Sequence, residues 1–102
     1  DVCSSDLTGT PVGTYKGTVT KSGKTVYMIL TINSNNTWSS KGYTDATYST
    51  PTNVGTDSGT YTQSGNSITL TGTVASNEVG TTSDNWNTVI VSGGSSGTLT
   101  RQ

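Results

Sequence analysis

The sequence predicts an all-β domain, an antiparallel meander of seven to eight strands that curls into a small closed or partly open barrel. Three observations carry this. The composition is that of strands and turns: 23 Thr, 15 Ser, 13 Gly and 8 Asn among 102 residues, with 27% hydrophobic and 11% charged residues, where ordinary domains carry about 25% charged. Apolar and polar residues alternate with period two, and no stretch has helical periodicity. The alternating stretches are joined by short runs of Gly, Asn and Ser, which link consecutive strands, and a meander of this size hides its edges best by closing.

Gly13–Thr20 (GTYKGTVT) is the first strand, with Tyr15 and Val19 on one face. Lys21–Lys24 (KSGK) is a hairpin turn in which Gly23 takes the positive φ. Lys24–Ile32 (KTVYMILTI) is the clearest strand: Val26, Met28, Leu30 and Ile32 point one way, while Tyr27, Ile29 and Thr31 point the other. Asn33–Asn36 (NSNN) is a turn, because Asn tolerates the left-handed conformation. A third strand runs from Thr37 to about Tyr43. Residues 45–58 lose the alternation and contain Pro51 and Gly55, so they are expected to form the longest loop, with room for a short irregular strand near Tyr48. Gly59–Gln63 and Ser67–Val74 form a second hairpin around Ser64–Asn66, with Ile68, Leu70 and Val74 on one face. Ala75–Asn85 reads as a second loop, Trp86–Val91 as a strand, Ser92–Gly97 as a turn and Thr98–Arg101 as a short last strand. The competing architecture is an immunoglobulin-like sandwich, which expects Greek-key connections; here the hairpins link neighbours in sequence.

Asp1–Leu7 (DVCSSDL) matches, residue for residue, the in-frame translation of the end of a common short-read library adapter. On that reading residues 1–7 are non-native, residues 8–102 are a single domain truncated upstream, and Cys3 says nothing about redox state or lipid attachment. Without Asp1 and Asp6 the formal net charge moves from -1 to +1, five bases against four acids.

Near-neutrality and scatter limit the partners. Lys16, Lys21, Lys24, Lys41 and Arg101 form no basic run, and phosphate binding needs clustered bases, so nucleic acid is not expected. The longest apolar run, Val26–Leu30, is far short of the roughly 18 residues of a membrane-spanning helix, so no such segment is expected. The chain has no His and one Cys, which removes His-based catalysis, His-ligated metals and a disulfide within the chain.

The remaining carboxylates, Asp45, Asp57, Glu78 and Asp84, read as solvated acids in or beside the two long loops. No pair stands in a recognisable frame for glycoside hydrolysis, and Asp84, Asn85 and Asn87 lack the Gly and bidentate Glu of an EF-hand loop. No catalytic residue, metal or cofactor is expected. Trp38, Trp86, Tyr15 and Tyr61 read as the bulk of a core without Phe, whereas Tyr43 and Tyr48, with Trp38 or Trp86, have the flat rings from which sugar-stacking surfaces are made. The candidate ligand-binding residues are therefore Tyr43, Tyr48, Trp86 and, facing the interior, Met28.

Gly13–Gly17 (GTYKG), Leu30–Trp38 (LTINSNNTW), Gly59–Gly72 (GTYTQSGNSITLTG) and Gly97–Arg101 (GTLTR) together resemble the strand-and-turn pattern of small bacterial lipocalin-like and NlpE-like extracytoplasmic domains. Asn35 and Asn36 stand where Asp-Gly is usual, and the paired cysteines of NlpE are absent, so copper or thiol chemistry does not carry over. The resemblance implies a non-catalytic binding or accessory domain of a bacterial envelope or secreted protein, lipid-anchored or free, whose ligand is a small apolar molecule; a monomer is expected, and the large inward side chains Tyr15, Met28, Leu30, Trp38, Tyr61, Ile68 and Leu70 leave at most a narrow pocket inside the barrel. The alternative is a carbohydrate-binding or adhesive module whose partner is a glycan. A cavity lined by Val26, Met28, Leu30, Ile32, Ile68 and Leu70 favours the first, and a coplanar aromatic strip at Tyr43 and Tyr48 favours the second.

If residues 1–7 have no selected partner surface, deleting them leaves the thermal unfolding midpoint unchanged. A loss above about 1 kcal/mol, the typical cost of removing native contacts, contradicts the adapter reading.

Overall fold

A computed structural model describes residues 10–73 and 78–102. The adapter-like segment and Val74 lie outside the described residues. Eight strands appear among them: β1 (Gly13–Lys21), β2 (Lys24–Ile32), β3 (Thr37–Tyr43), β4 (Pro51–Ser64), β5 (Ser67–Gly72), β6 (Glu78–Thr81), β7 (Thr88–Ser92) and β8 (Ser96–Arg101). Each pairs antiparallel with its neighbour in sequence, and β1 pairs with β8, which closes the barrel. No helix among the described residues is long and apolar enough to cross a membrane.

The alternation read from the sequence sets the inner face. Tyr15 and Val19 from β1, and Val26, Met28, Leu30 and Ile32 from β2, are buried, while Tyr27, Ile29 and Thr31 are half-buried on the outside. Ile68, Leu70, Val89, Val91 and Leu99 complete the core with Trp38, Tyr61 and Trp86. Burying a Val, Leu or Ile side chain contributes about 1.5–3 kcal/mol, so this short inner column supplies most of the driving force in a Thr-rich chain.

Closure at so small a circumference brings backbones into contact. A Cβ on Gly17 would lie 2.2 Å from the Thr98 carbonyl oxygen, and one on Gly97 would lie 2.2 Å from that of Thr18. These two glycines sit on either side of the β1–β8 seam, where Gly17 faces Leu99 and Gly97 faces Val19, and only a residue without a side chain allows that approach.

Four elements differ from the sequence reading. β4 starts at Pro51 rather than Gly59, so the expected long loop shrinks to residues 44–50. The alternation fails there because of a bulge: Ser40 pairs with Asp57 and Gly42 with Thr52, so two steps along β3 span five along β4. The 75–85 loop contains β6, which is too short and too interrupted by Gly80 to show a period. Trp86 precedes β7 instead of opening it; with Asn85 it takes a left-handed backbone, φ 68° and 63°. β8 begins at Ser96, two residues early.

One end of the barrel is sealed. Trp86 and Tyr15 are almost fully buried there. The Tyr15 hydroxyl donates to the Pro11 carbonyl at 2.6 Å and accepts from Arg101 Nη2 at 2.9 Å, while Arg101 Nε donates to the Trp86 carbonyl at 2.9 Å. The Arg101 guanidinium also lies 5.4 Å from the Tyr15 ring centre. Burial pushes the Tyr15 phenol above the usual tyrosine range, against the opposing pull of Arg101. The left-handed turn is held by Thr82, whose hydroxyl accepts the Trp86 N–H at 2.9 Å and donates to Asp84 at 2.9 Å.

Truncation on the two faces of β2 separates inside from outside. Leu30→Ala is expected to cost about 2–5 kcal/mol in urea unfolding, and Thr31→Ala well under about 1 kcal/mol; equal losses would mean that the faces are reversed.

Candidate functional site

Among the described residues the apolar column leaves only a narrow gap inside the barrel. The gap between Met28, Leu30, Trp38, Leu70 and Val91 is about 10 Å³, about the room of one water. The end opposite Trp86 is different. There the Lys21–Lys24 turn, Ser40, the β4 bulge and Glu78 surround a cavity of about 320 Å³, at the lower edge of the range for small-molecule sites. Two further depressions, of about 290 and 460 Å³, lie on the outside around Lys41 and Thr56.

The bulge builds the cavity by folding inward. A Cβ on Gly42 would sit 1.9 Å from the Val54 carbonyl oxygen, so the Val54 backbone occupies the space that a side chain at position 42 would fill. Gly55, at φ 81°, lies over the inner column: a Cβ there would be 3.0 Å from Val26 Cγ1 and 3.3 Å from Met28 Cε. Three hydrogen bonds fix the flap. Ser40 Oγ donates to the Gly55 carbonyl at 2.7 Å, the Gly42 N–H donates to Thr56 Oγ1 at 3.0 Å, and Thr56 Oγ1 donates to the Thr52 carbonyl at 2.6 Å. Bulges recur at barrel rims and beside active sites because they re-aim a stretch of strand, and this one carries Val54 and Gly55 across the mouth.

The carboxylates correct the expectation of solvated loop acids at two positions. Glu78 opens β6 and is buried, accepting the Ser95 hydroxyl at 2.5 Å and lying 3.9 Å from Lys21 Nζ. Asp57 is a β4 residue on the cavity wall, and its Oδ1 accepts from the Ser58 N–H at 2.8 Å, the Thr73 N–H at 3.1 Å and the Thr73 hydroxyl at 2.8 Å. The other two acids are loop staples. Hydrogen bonds from the Thr47 and Ser49 hydroxyls and from the Thr50 N–H hold the Asp45 carboxyl well below the usual carboxylate range. Hydrogen bonds from Thr88, and then from Thr82, lower that of Asp84.

The four residues singled out in the sequence fall in three places. Met28 lines the narrow interior gap. Trp86, 1% exposed, belongs to the sealed end. Tyr43 and Tyr48 meet on the outer face with Tyr27: the Tyr48 ring stands edge-on to Tyr43 at 5.7 Å and 77°, and to Tyr27 at 6.1 Å and 83°. Lys16 Nζ lies 5.2 Å from the Tyr48 ring centre. The rings are therefore perpendicular and already in contact with one another, not a coplanar strip. The residues that shape the mouth, Lys21, Val54, Gly55 and Glu78, lay hidden in the sequence; the one signal for them was the lost alternation around Asn53–Thr56.

Compared with protein-family models, with curated proteins and with solved structures, the chain matches none at a significant level.

Proposed function

We propose that this is a non-catalytic ligand-binding domain of an extracytoplasmic bacterial protein, and that its ligand sits in the mouth between Lys21, Val54 and Glu78. The cavity of about 320 Å³ carries this reading. The eight-stranded antiparallel barrel is consistent with the lipocalin-like resemblance; the extracytoplasmic setting rests on the likeness of the strand-and-turn motifs alone. The ligand differs from the apolar one that the resemblance implies. The interior gap beside Met28 is about 10 Å³, whereas the mouth sets hydroxyl, amide, ammonium and carboxylate groups in a lining that is largely carbon, which suits a small molecule with both polar and apolar parts. A binding role rather than a catalytic one is supported by the engagement of the acids. Asp45 and Asp84 clamp their own loops, Asp57 holds Thr73, and Glu78 holds Ser95 through one oxygen, and the chain has no His to pair with a carboxylate.

A glycan-binding outer face is the competing reading, and the two separate in one experiment. A set of small polar fragments is screened by ligand-observed NMR against the unaltered protein, Val54→Trp and Tyr48→Ala. Filling the mouth with Trp is expected to weaken binding at least about tenfold, a change of about 1.4 kcal/mol, with Tyr48→Ala unchanged. The opposite pattern would assign the ligand to the tyrosine face, and the absence of any binder would overturn the reading altogether.

A further inference from the structure

At the floor of the mouth one carboxylate is buried but only half engaged. Glu78 borders both the cavity and the narrow gap beneath it. Its Oε1 accepts the Ser95 hydroxyl at 2.5 Å, while Oε2 meets Lys21 Nζ at 3.9 Å, longer than a hydrogen bond. No buried side-chain oxygen or nitrogen among the described residues lacks a hydrogen-bond partner, so Oε2, which has none, faces the open space of the mouth. Among the described residues no donor reaches Oε2 within hydrogen-bond length.

The opposite sign is available across the same space. Lys21 and Lys24 flank the β1–β2 turn and both line the cavity. Among the described residues the Lys21–Glu78 contact is the one ion pair, which leaves the Lys24 ammonium without a carboxylate. Between these charges the wall is carbon, from the Val54 side chain, Gly55 and the aliphatic stems of the two lysines. The formal charges around the cavity, two lysines against Asp57 and Glu78, cancel, so a ligand with no net charge but with both signs meets complementary groups.

We infer that the mouth takes a small zwitterion of the amino-acid class. The ammonium group donates to Glu78 Oε2, the carboxylate lies against Lys21 and Lys24, and the apolar part rests on Val54 and Gly55. An ammonium suits Oε2 better than a hydroxyl because charge-assisted hydrogen bonds are roughly twice as strong as neutral ones. Its arrival also frees Lys21 for the ligand's carboxylate. This inference rests on the mouth being the ligand site.

The test uses L-leucine, N-acetyl-L-leucine and L-leucinamide, titrated into the isotope-labelled full chain and followed by amide chemical shifts. Leucine is expected to saturate shifts at Lys21–Lys24, Val54, Gly55 and Glu78. Blocking either charge is expected to weaken binding at least about tenfold, the scale of one hydrogen bond to a charged group. Glu78→Gln should remove the preference for the free amine over the acetylated one; the three-ligand comparison on the unaltered protein holds even if that variant does not fold. Equal binding of the three compounds, or no saturation by leucine within its solubility, would overturn the zwitterion assignment. Fragments that still depend on Val54 would then leave the mouth as a site for another polar ligand.

Discussion

Everything else in the molecule depends on closing the sheet between its first and last strands. The seam aligns six Cα pairs, from Tyr15 with Arg101 to Thr20 with Ser96, and its glycines let the two backbones touch. Arg101 then ties the seam to the sealed end, reaching Tyr15, the Trp86 carbonyl and the Thr10 carbonyl from one guanidinium. Closure removes both sheet edges, which for a flat meander would be open to pairing with other chains. It also converts a sequence with few large apolar residues into one continuous core, because every inward side chain meets others across the barrel.

Sealing one end and opening the other are two consequences of where the large side chains fall. Tyr15, Ile32, Tyr61 and Trp86 gather toward the end where the chain enters and leaves the barrel. Toward the other end β3 turns small residues inward, Ser40 and Gly42, and these leave room for the β4 flap. The flap is a hydrogen-bonded insertion rather than a packed strand, and its contacts with the core come from Val54 and from the glycine at 55. The mouth is thus a recess lined largely by carbon that carries four charged side chains, Lys21, Lys24, Asp57 and Glu78.

Most of the barrel is legible in the sequence wherever a strand keeps one face dry. In β2 every second residue from Val26 to Ile32 is buried, and the period shows it. The first two hairpin turns are equally legible, because Gly23 and Asn36 take the positive φ that Gly and Asn accept at little cost. What escapes the sequence is structure made by tertiary contact. The β4 flap has no period because its residues pack by backbone, the Val54 carbonyl against Gly42, and not by alternating side chains. Glu78 looks like any loop acid until the β7–β8 turn brings Ser95 to it from 17 residues away. Trp86 is readable as core, but its left-handed backbone is set by the Thr82 hydroxyl and Arg101, which no local pattern announces. Tyr43 and Tyr48 are readable as surface rings, yet their perpendicular contact depends on the Asp45 staple that folds the 44–50 loop.

A barrel closed by a paired seam, with a flap held by three side-chain hydrogen bonds at its open end, makes a direct demand on backbone dynamics. Amide hydrogen exchange read residue by residue tests it, because the slowest amides report the unit that opens only on global unfolding. The expected result is the greatest protection in β1, β2 and β8, around Tyr15, Leu30 and Leu99, with faster exchange confined to residues 51–57 and the turns. Amides along the β1–β8 seam exchanging as fast as those of the flap would contradict it, since the sheet would then be opening where it must be closed.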